Sequence, residues 1–203
     1  MTTVRVPPGR AGRLWLRRRL AVANRGADLL ERKLRILLAE RERLRDKERQ
    51  TSESWRQRIA EAEHWLLRAA LLAGERAIRL AVPPNLASVT VTWTSAMGVR
   101  YPTGAACQVP ARTPADPSPG GAALVRAQQE YGRAAEAAAQ YAAAHTATDR
   151  ITAEITATRH RVRALQRHWI PALETALARV ELDLAEHELG ETLRNRRALS
   201  TPE

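Results

Sequence analysis

The chain has 203 residues and a formal net charge of +11, with no Phe and only 4% aromatic residues. So few large aromatics in a chain of this length argue against a thick globular core and for an extended helical arrangement with a small appendage. The single cysteine, Cys107, excludes an internal disulfide framework and a Cys-rich metal site, and fits a reducing, cytoplasmic setting.

Pro7-Pro8-Gly9 marks residues 1–11 as a flexible arm. A long helix is expected over 12–82. Within it Leu16, Leu20, Ala23, Ala27, Leu30, Leu34, Leu37 and Leu44 recur in steps of four and three residues, the spacing of a coiled-coil seam. Such a helix would run on the order of 100 Å at ~1.5 Å per residue. The seam weakens through Glu48 and Thr51 and resumes as Trp55, Ile59, Ala62, Leu66, Ala69 and Ala73, so a local unwinding is expected between the two stretches. Gly26 lies beside the seam; two readings stand, a close approach of the partner helix or a tolerated weak spot costing about 1 kcal/mol against alanine.

Residues 1–50 hold fifteen cationic and six acidic side chains, whereas 51–144 hold nine and seven and 145–203 nine of each. The positive field therefore belongs to the first helix, where Arg17, Arg18, Arg19 and Arg25 stand out. Phosphate binding is one reading of such clusters. A second is a general preference for arginine, 31 against 2 lysines, whose long stems solvate a coiled-coil flank.

Residues 83–121 form the middle region. Pro83-Pro84-Asn85 is expected to stop the first helix, and Val89, Val91 and Trp93 then alternate with Thr90 and Thr92. That alternation, a turn at Ser95-Ala96-Met97-Gly98 and the return through Val99 and Tyr101 read as a β-hairpin over about 87–102. The prolines between Pro110 and Gly121 read as a loop. The uncharged run from Leu80 to Val99 is broken by prolines and hydroxyls and is no membrane span, and the N-terminus lacks the apolar core of a signal peptide.

Helix is expected again over 122–197, an alanine-rich stretch continuing into a long C-terminal helix, with a flexible tail over 198–203. Ile151, Ile155, Thr158, Val162, Leu165, Trp169, Ala172 and Ala176 carry a second seam, widened by Leu173, Leu177, Val180 and Leu184. Pro171 interrupts it and should bend the helix or loosen one turn, since proline offers no N–H to the carbonyl of Arg167. Two stripes at opposite ends of the chain, with a reversal between them, are most simply buried as an intramolecular antiparallel coiled coil. The fold class is therefore mainly α, a long antiparallel pair of N- and C-terminal helices with a short β-hairpin and an additional helix in the middle.

Chemical motifs are scarce. The sequence has no phosphate loop of the GxxxxGK[ST] kind, no HExxH, no CxxC and no nucleophile elbow. His160, His168 and His187 are too widely spaced on one helix for a compact ligand set. No catalytic residue, cofactor or metal is expected. On these grounds the chain reads as a coiled-coil scaffold, with a basic nucleic-acid binder as the alternative.

The string from Arg19 through Leu20, Ala23, Gly26, Leu29 and Leu30 to Lys33 resembles the RLxxAxxGxxLLKxK pattern that opens the D subunits of V-type and archaeal-type rotary ATPases. Glu154-Ile155, Thr158-Arg159, Arg161-Val162, Ala164-Leu165 and Ile170-Pro171 are similar to their EIxxTxRRVNALExxxIP element. Arg163, Gln166, Leu34 and Leu189-Gly190 depart from those patterns. The resemblance implies a non-catalytic central rotor shaft that couples ATP hydrolysis or synthesis to proton or sodium transport. Its implied partners are the catalytic and non-catalytic A- and B-type nucleotide-binding subunits, a small F-type stalk subunit and a socket subunit of the membrane sector. Nucleic acid is not an implied partner, and the membrane is met only through those subunits, from the cytoplasmic side. The shaft would be formed by Leu16, Leu20, Ala23, Gly26, Leu30, Leu34, Leu37, Ile155, Val162, Leu165, Trp169 and Pro171, with Arg17, Arg18, Arg19 and Arg25 as possible hexamer contacts.

Overall fold

The computed structural model describes residues 6–82, 86–110 and 121–199. Pro83-Pro84-Asn85, most of the proline-rich loop, the start of the N-terminal arm and the end of the C-terminal tail lie outside the described residues. The chain is mainly α, in the order α1 (Gly9–Leu80), β1 (Ser88–Ala96), β2 (Val99–Gln108), α2 (Ala122–Ala164), a π-helical turn (Leu165–Trp169) and α3 (Ile170–Leu199). It divides into two compact units, Met1–Arg35 with Thr156–Glu203, and Ile36–Ile155.

In the first unit the two chain ends pair antiparallel. Arg10 bonds Glu188 at 3.2 Å, Arg17 bonds Glu181 at 2.6 Å, and Gln166 donates to Glu31 at 2.6 Å. The partner number thus falls as the residue number climbs. Leu16, Ala23 and Leu173 form the buried core of this unit, with Trp15, Leu20, Ile170, Leu177 and Val180 packed around it. Burying one such leucine contributes roughly 1.5–3 kcal/mol.

Pro171 loosens the helix by widening one turn. The N–H of Ile170 reaches back five residues to the carbonyl of Leu165, which leaves room for the proline ring and requires no N–H from it. The widened turn takes up one extra residue and so rotates everything beyond it. The seam therefore does not continue through Trp169 and Ala172 as the uninterrupted spacing predicts. Trp169 is 37% exposed and Leu173 is fully buried, and the stripe runs on through Ile170, Leu173, Leu177, Val180 and Leu184. Between the pairs Arg17–Glu181 and Glu31–Gln166, the C-terminal side is one residue longer than the N-terminal side, matching that insertion.

The second unit pairs the later part of α1 with the earlier part of α2. Here the alanine-rich stretch forms the first half of α2. Many of this unit's buried positions are alanines, including Ala62, Ala69, Ala127, Ala134, Ala143, Ala144 and Ala147, set beside the larger Leu37, Leu44, Leu124, Ile151 and Ile155. Trp55 stacks on Tyr141 with ring centroids 5.4 Å apart, and Tyr141 stacks in turn on His145. The α1 helix is not continuous to its end. Gly74 has φ 76 and ψ 166, a conformation essentially restricted to glycine, and it breaks the helix before the last turns.

The hairpin belongs to this second unit and runs further than alternation suggests. Its register extends from Ala96 opposite Val99 to Ser88 opposite Gln108, with a bulge where β1 passes from Thr92 to Trp93. Small residues in the second half of β2, such as Ala105 and Ala106, carry little periodic signal, which is why the return strand reads as shorter. Met97 and Gly98 form the two-residue turn with φ 50 and φ 81, the positive pair whose twist matches that of two antiparallel strands.

Candidate interaction surfaces

Among the described residues no group of three or more His, Cys, Asp and Glu side chains is placed to hold a metal ion, and no helix is long and apolar enough to cross a membrane. The features with functional content are surfaces.

In the first unit, Arg17, Arg18, Arg19 and Arg25 are all exposed, yet they are not equivalent. Arg17 is tied to Glu181, Arg19 lies over the Trp15 ring at 5.0 Å, and Arg25 donates back to the carbonyl of Ala21. Arg18 has no such tether among the described residues and is the freest of the four. Among the expected shaft residues, Leu16, Ala23, Leu37, Ile155 and Val162 are buried, whereas Leu20, Gly26, Leu30, Leu34 and Leu165 are half-buried. Trp169 and Pro171 are exposed. Gly26 does not serve a close approach, because a Cβ built there would meet nothing within 4 Å. It is a tolerated weak spot.

In the second unit, β2 is clamped to α1. The Tyr101 hydroxyl, 3% exposed as a residue, donates to Glu40 Oε1 at 2.6 Å, and Arg43 bonds both oxygens of the same carboxylate. The Arg43 guanidinium holds the Glu40 carboxyl below the usual carboxylate range despite its partial burial. Burial, with Glu40 beside it, pushes the Tyr101 phenol up. Lys47 donates to the carbonyl of Thr103 and Arg150 to that of Arg100. Each link comes from a residue distant in sequence, so none of them is signalled by local pattern.

Two further charged clusters lie on α2, one built from residues a turn apart and one reaching a residue 97 positions away. Glu130 is fully buried on α2, with one oxygen accepting from Arg126 and Arg133, both at 2.8 Å. His145 meets Glu48 at 2.6 Å and Asp149 at 3.5 Å. The Glu48 bond, with Asp149 beside it, raises the histidine above its ordinary pKa.

The second unit also leaves large apolar side chains uncovered. Leu71, Leu72 and Leu86 are 88%, 80% and 94% exposed, and Leu67, Leu80 and Val82 are exposed beside them in sequence. Exposure on this scale marks surface that a partner covers.

The chain matches the family of ATP synthase D subunits over residues 14–199. It belongs to that family. It is similar to the D subunit of the V-type ATP synthase of Thermotoga neapolitana (strain ATCC 49049 / DSM 4359 / NBRC 107923 / NS-E). The two are 27% identical over 194 residues, which is 95% of this chain and 96% of the relative. Family membership makes the chain a component of a V/A-type ATPase complex, and its long paired helices fit a coiled-coil stalk. Membership also explains why a chain with no catalytic motif carries so much uncovered apolar surface: its partners are other subunits.

Proposed function

We propose that the chain is the central rotor shaft of this ATPase, a non-catalytic part that couples ATP hydrolysis or synthesis in the nucleotide-binding hexamer to proton or sodium movement. The observation that carries this reading is the antiparallel pairing of the chain ends in a member of the D-subunit family. A helix pair with interlocked side chains resists twisting, because rotation would unseat packed residues along the seam. An asymmetric surface of this kind also favours different conformations in otherwise similar neighbouring subunits.

The exposed arginines of α1, Arg18 above all, are then contacts to acidic loops of the A- and B-type subunits. The uncovered leucines between Leu67 and Leu86 are covered by other stalk subunits, a small F-type partner and a socket subunit of the membrane sector. The shaft works from the cytoplasmic side and meets the membrane through them.

The test is a tagged copy purified from gently solubilised native membranes, with ATP hydrolysis and ion pumping measured on the same assembly. Nucleotide-binding subunits should co-purify, and charge reversal at Arg17, Arg18 and Arg19 should reduce pumping per ATP hydrolysed. Full coupling in the charge-reversed assembly would remove the arginine contact from the reading. Recovery of the chain without ATPase subunits would remove the shaft itself.

A further inference from the structure

The two edges of the β-hairpin are finished differently. On β2 the outward carbonyls of Arg100 and Thr103 accept bonds from Arg150 and Lys47, and Pro102 lies between them. β1, Ser-Val-Thr-Val-Thr-Trp-Thr-Ser-Ala, contains no charge and no proline and is exposed over most of its length. The bulge residue lies on β2, so the nine residues of β1 run without an insertion. Unprotected edges of this kind are rare in stable proteins because they recruit another strand.

The register identifies the groups that are free. A two-residue turn makes Ala96 and Val99 a hydrogen-bonded pair, and alternation along β1 then turns Thr94, Thr92 and Thr90 toward β2. The carbonyl of Thr92 accordingly accepts from the Thr103 hydroxyl at 3.2 Å. Val89, Val91 and Trp93 turn their N–H and C=O groups outward, and among the described residues no strand lies against them. The side chains of these same three residues line a groove of about 600 Å³ whose far wall is the alanine face of α2, including Ala139 and Ala142. Free backbone groups and an apolar trough thus run side by side. At one end, Arg100 and Arg150 lie over the Trp93 ring at 5.0 and 5.1 Å, and neither has an acidic partner among the described residues.

We propose that β1 accepts a third strand from an acidic partner protein. The incoming segment is extended, places alternate apolar side chains in the trough, and presents a carboxylate to Arg100 and Arg150. Backbone bonds supply affinity and the trough supplies register and selectivity. A second copy of this chain fits less well, since each copy carries +11 and would bring its own guanidiniums to the same edge. The proposal does not depend on the shaft reading.

Hydrogen exchange is measured on the full chain within its native assembly and again after the assembly is dissociated. Binding of a strand slows the amides of Val89, Val91 and Trp93 by about tenfold or more in the assembly, while those of Thr90 and Thr92, already turned toward β2, change little. Val91→Pro removes an N–H that the hairpin does not use. It should abolish this protection and the recovery of the one partner that cross-links to β1, with Trp93 fluorescence reporting that the hairpin stays folded. Arg100→Glu with Arg150→Glu should weaken the same partner. Equal exchange of the three outward amides in both states overturns the proposal. Self-association of the pure chain through β1, with no other protein cross-linked there, overturns it in favour of a second copy. Co-purification of ATPase subunits without protection of β1 overturns this proposal alone.

Discussion

The two units bury their helix pairs with different materials. The first uses leucine against leucine, with Leu16 and Leu173 fully buried and ion pairs from Arg10 and Arg17 across the seam. The second also buries Leu37, Leu44, Leu124, Ile151 and Ile155, but adds many alanines and a carboxylate held between arginines, while Leu71, Leu72 and Leu86 are left almost wholly exposed. Alanine lets helices approach closely but removes little apolar area from water per residue. Both units leave leucines outside, Leu29 and Leu189 in the first among them, but among the large apolar side chains of the described residues exposure of 80% or more falls only on Leu71, Leu72 and Leu86, so the middle has the stronger need of a partner.

Cutting away a large residue from the leucine seam should expose this contrast most sharply. Leu173→Ala leaves a cavity beside Leu16 and Ala23 and should cost roughly 2–5 kcal/mol. The loss is read as lower hydrogen-exchange protection in residues 9–35 and 156–197, with protection of the hairpin unchanged. Equal loss in both units would mean that they do not stabilise themselves separately.

A gain is expected where the first unit carries an unneeded glycine. Gly26→Ala meets open space and should stabilise the helix by about 1 kcal/mol, seen as a higher denaturant midpoint. Destabilisation would reveal a close neighbour at that position.

The smallest effect belongs to the second unit and depends on pH. His145 titrates above its ordinary value because Glu48 and Asp149 favour the charged form. Its contribution is therefore fully present below about pH 6.5, the unfolded value, and is lost as pH rises through the higher folded value. Since the ring is 52% exposed, the step is small. Thermal midpoints between about pH 6 and 8 should show it in the wild-type chain, and His145→Gln should flatten it.

The sequence was most legible where a residue's partner is set by periodicity. Burial along α1 follows the expected steps through Leu16, Leu20, Ala23, Ala27, Leu30, Leu34, Leu37 and Leu44. Gly74 was visible as a glycine but not as a break, because propensity alone does not report a positive φ. Pro171 announced a local disturbance, yet its consequence, the exchange of Trp169 for Ile170 and Leu173 in the seam, depended on how the helix absorbed it. The clamp of Tyr101 on Glu40 and Arg43 left no trace, since it joins residues 61 positions apart.

By itself the sequence determined the two apolar stripes, the hairpin between them and the excess of positive charge on the first helix, because each is a property of neighbours along the chain. Tertiary structure decided the rest. It selected the π-helical turn that re-registers the C-terminal seam, gave β2 its side-chain caps from Lys47 and Arg150, and left β1 open. Those outcomes depend on which distant residues arrive at the same place, and hydrogen-bond satisfaction and close packing are settled only there.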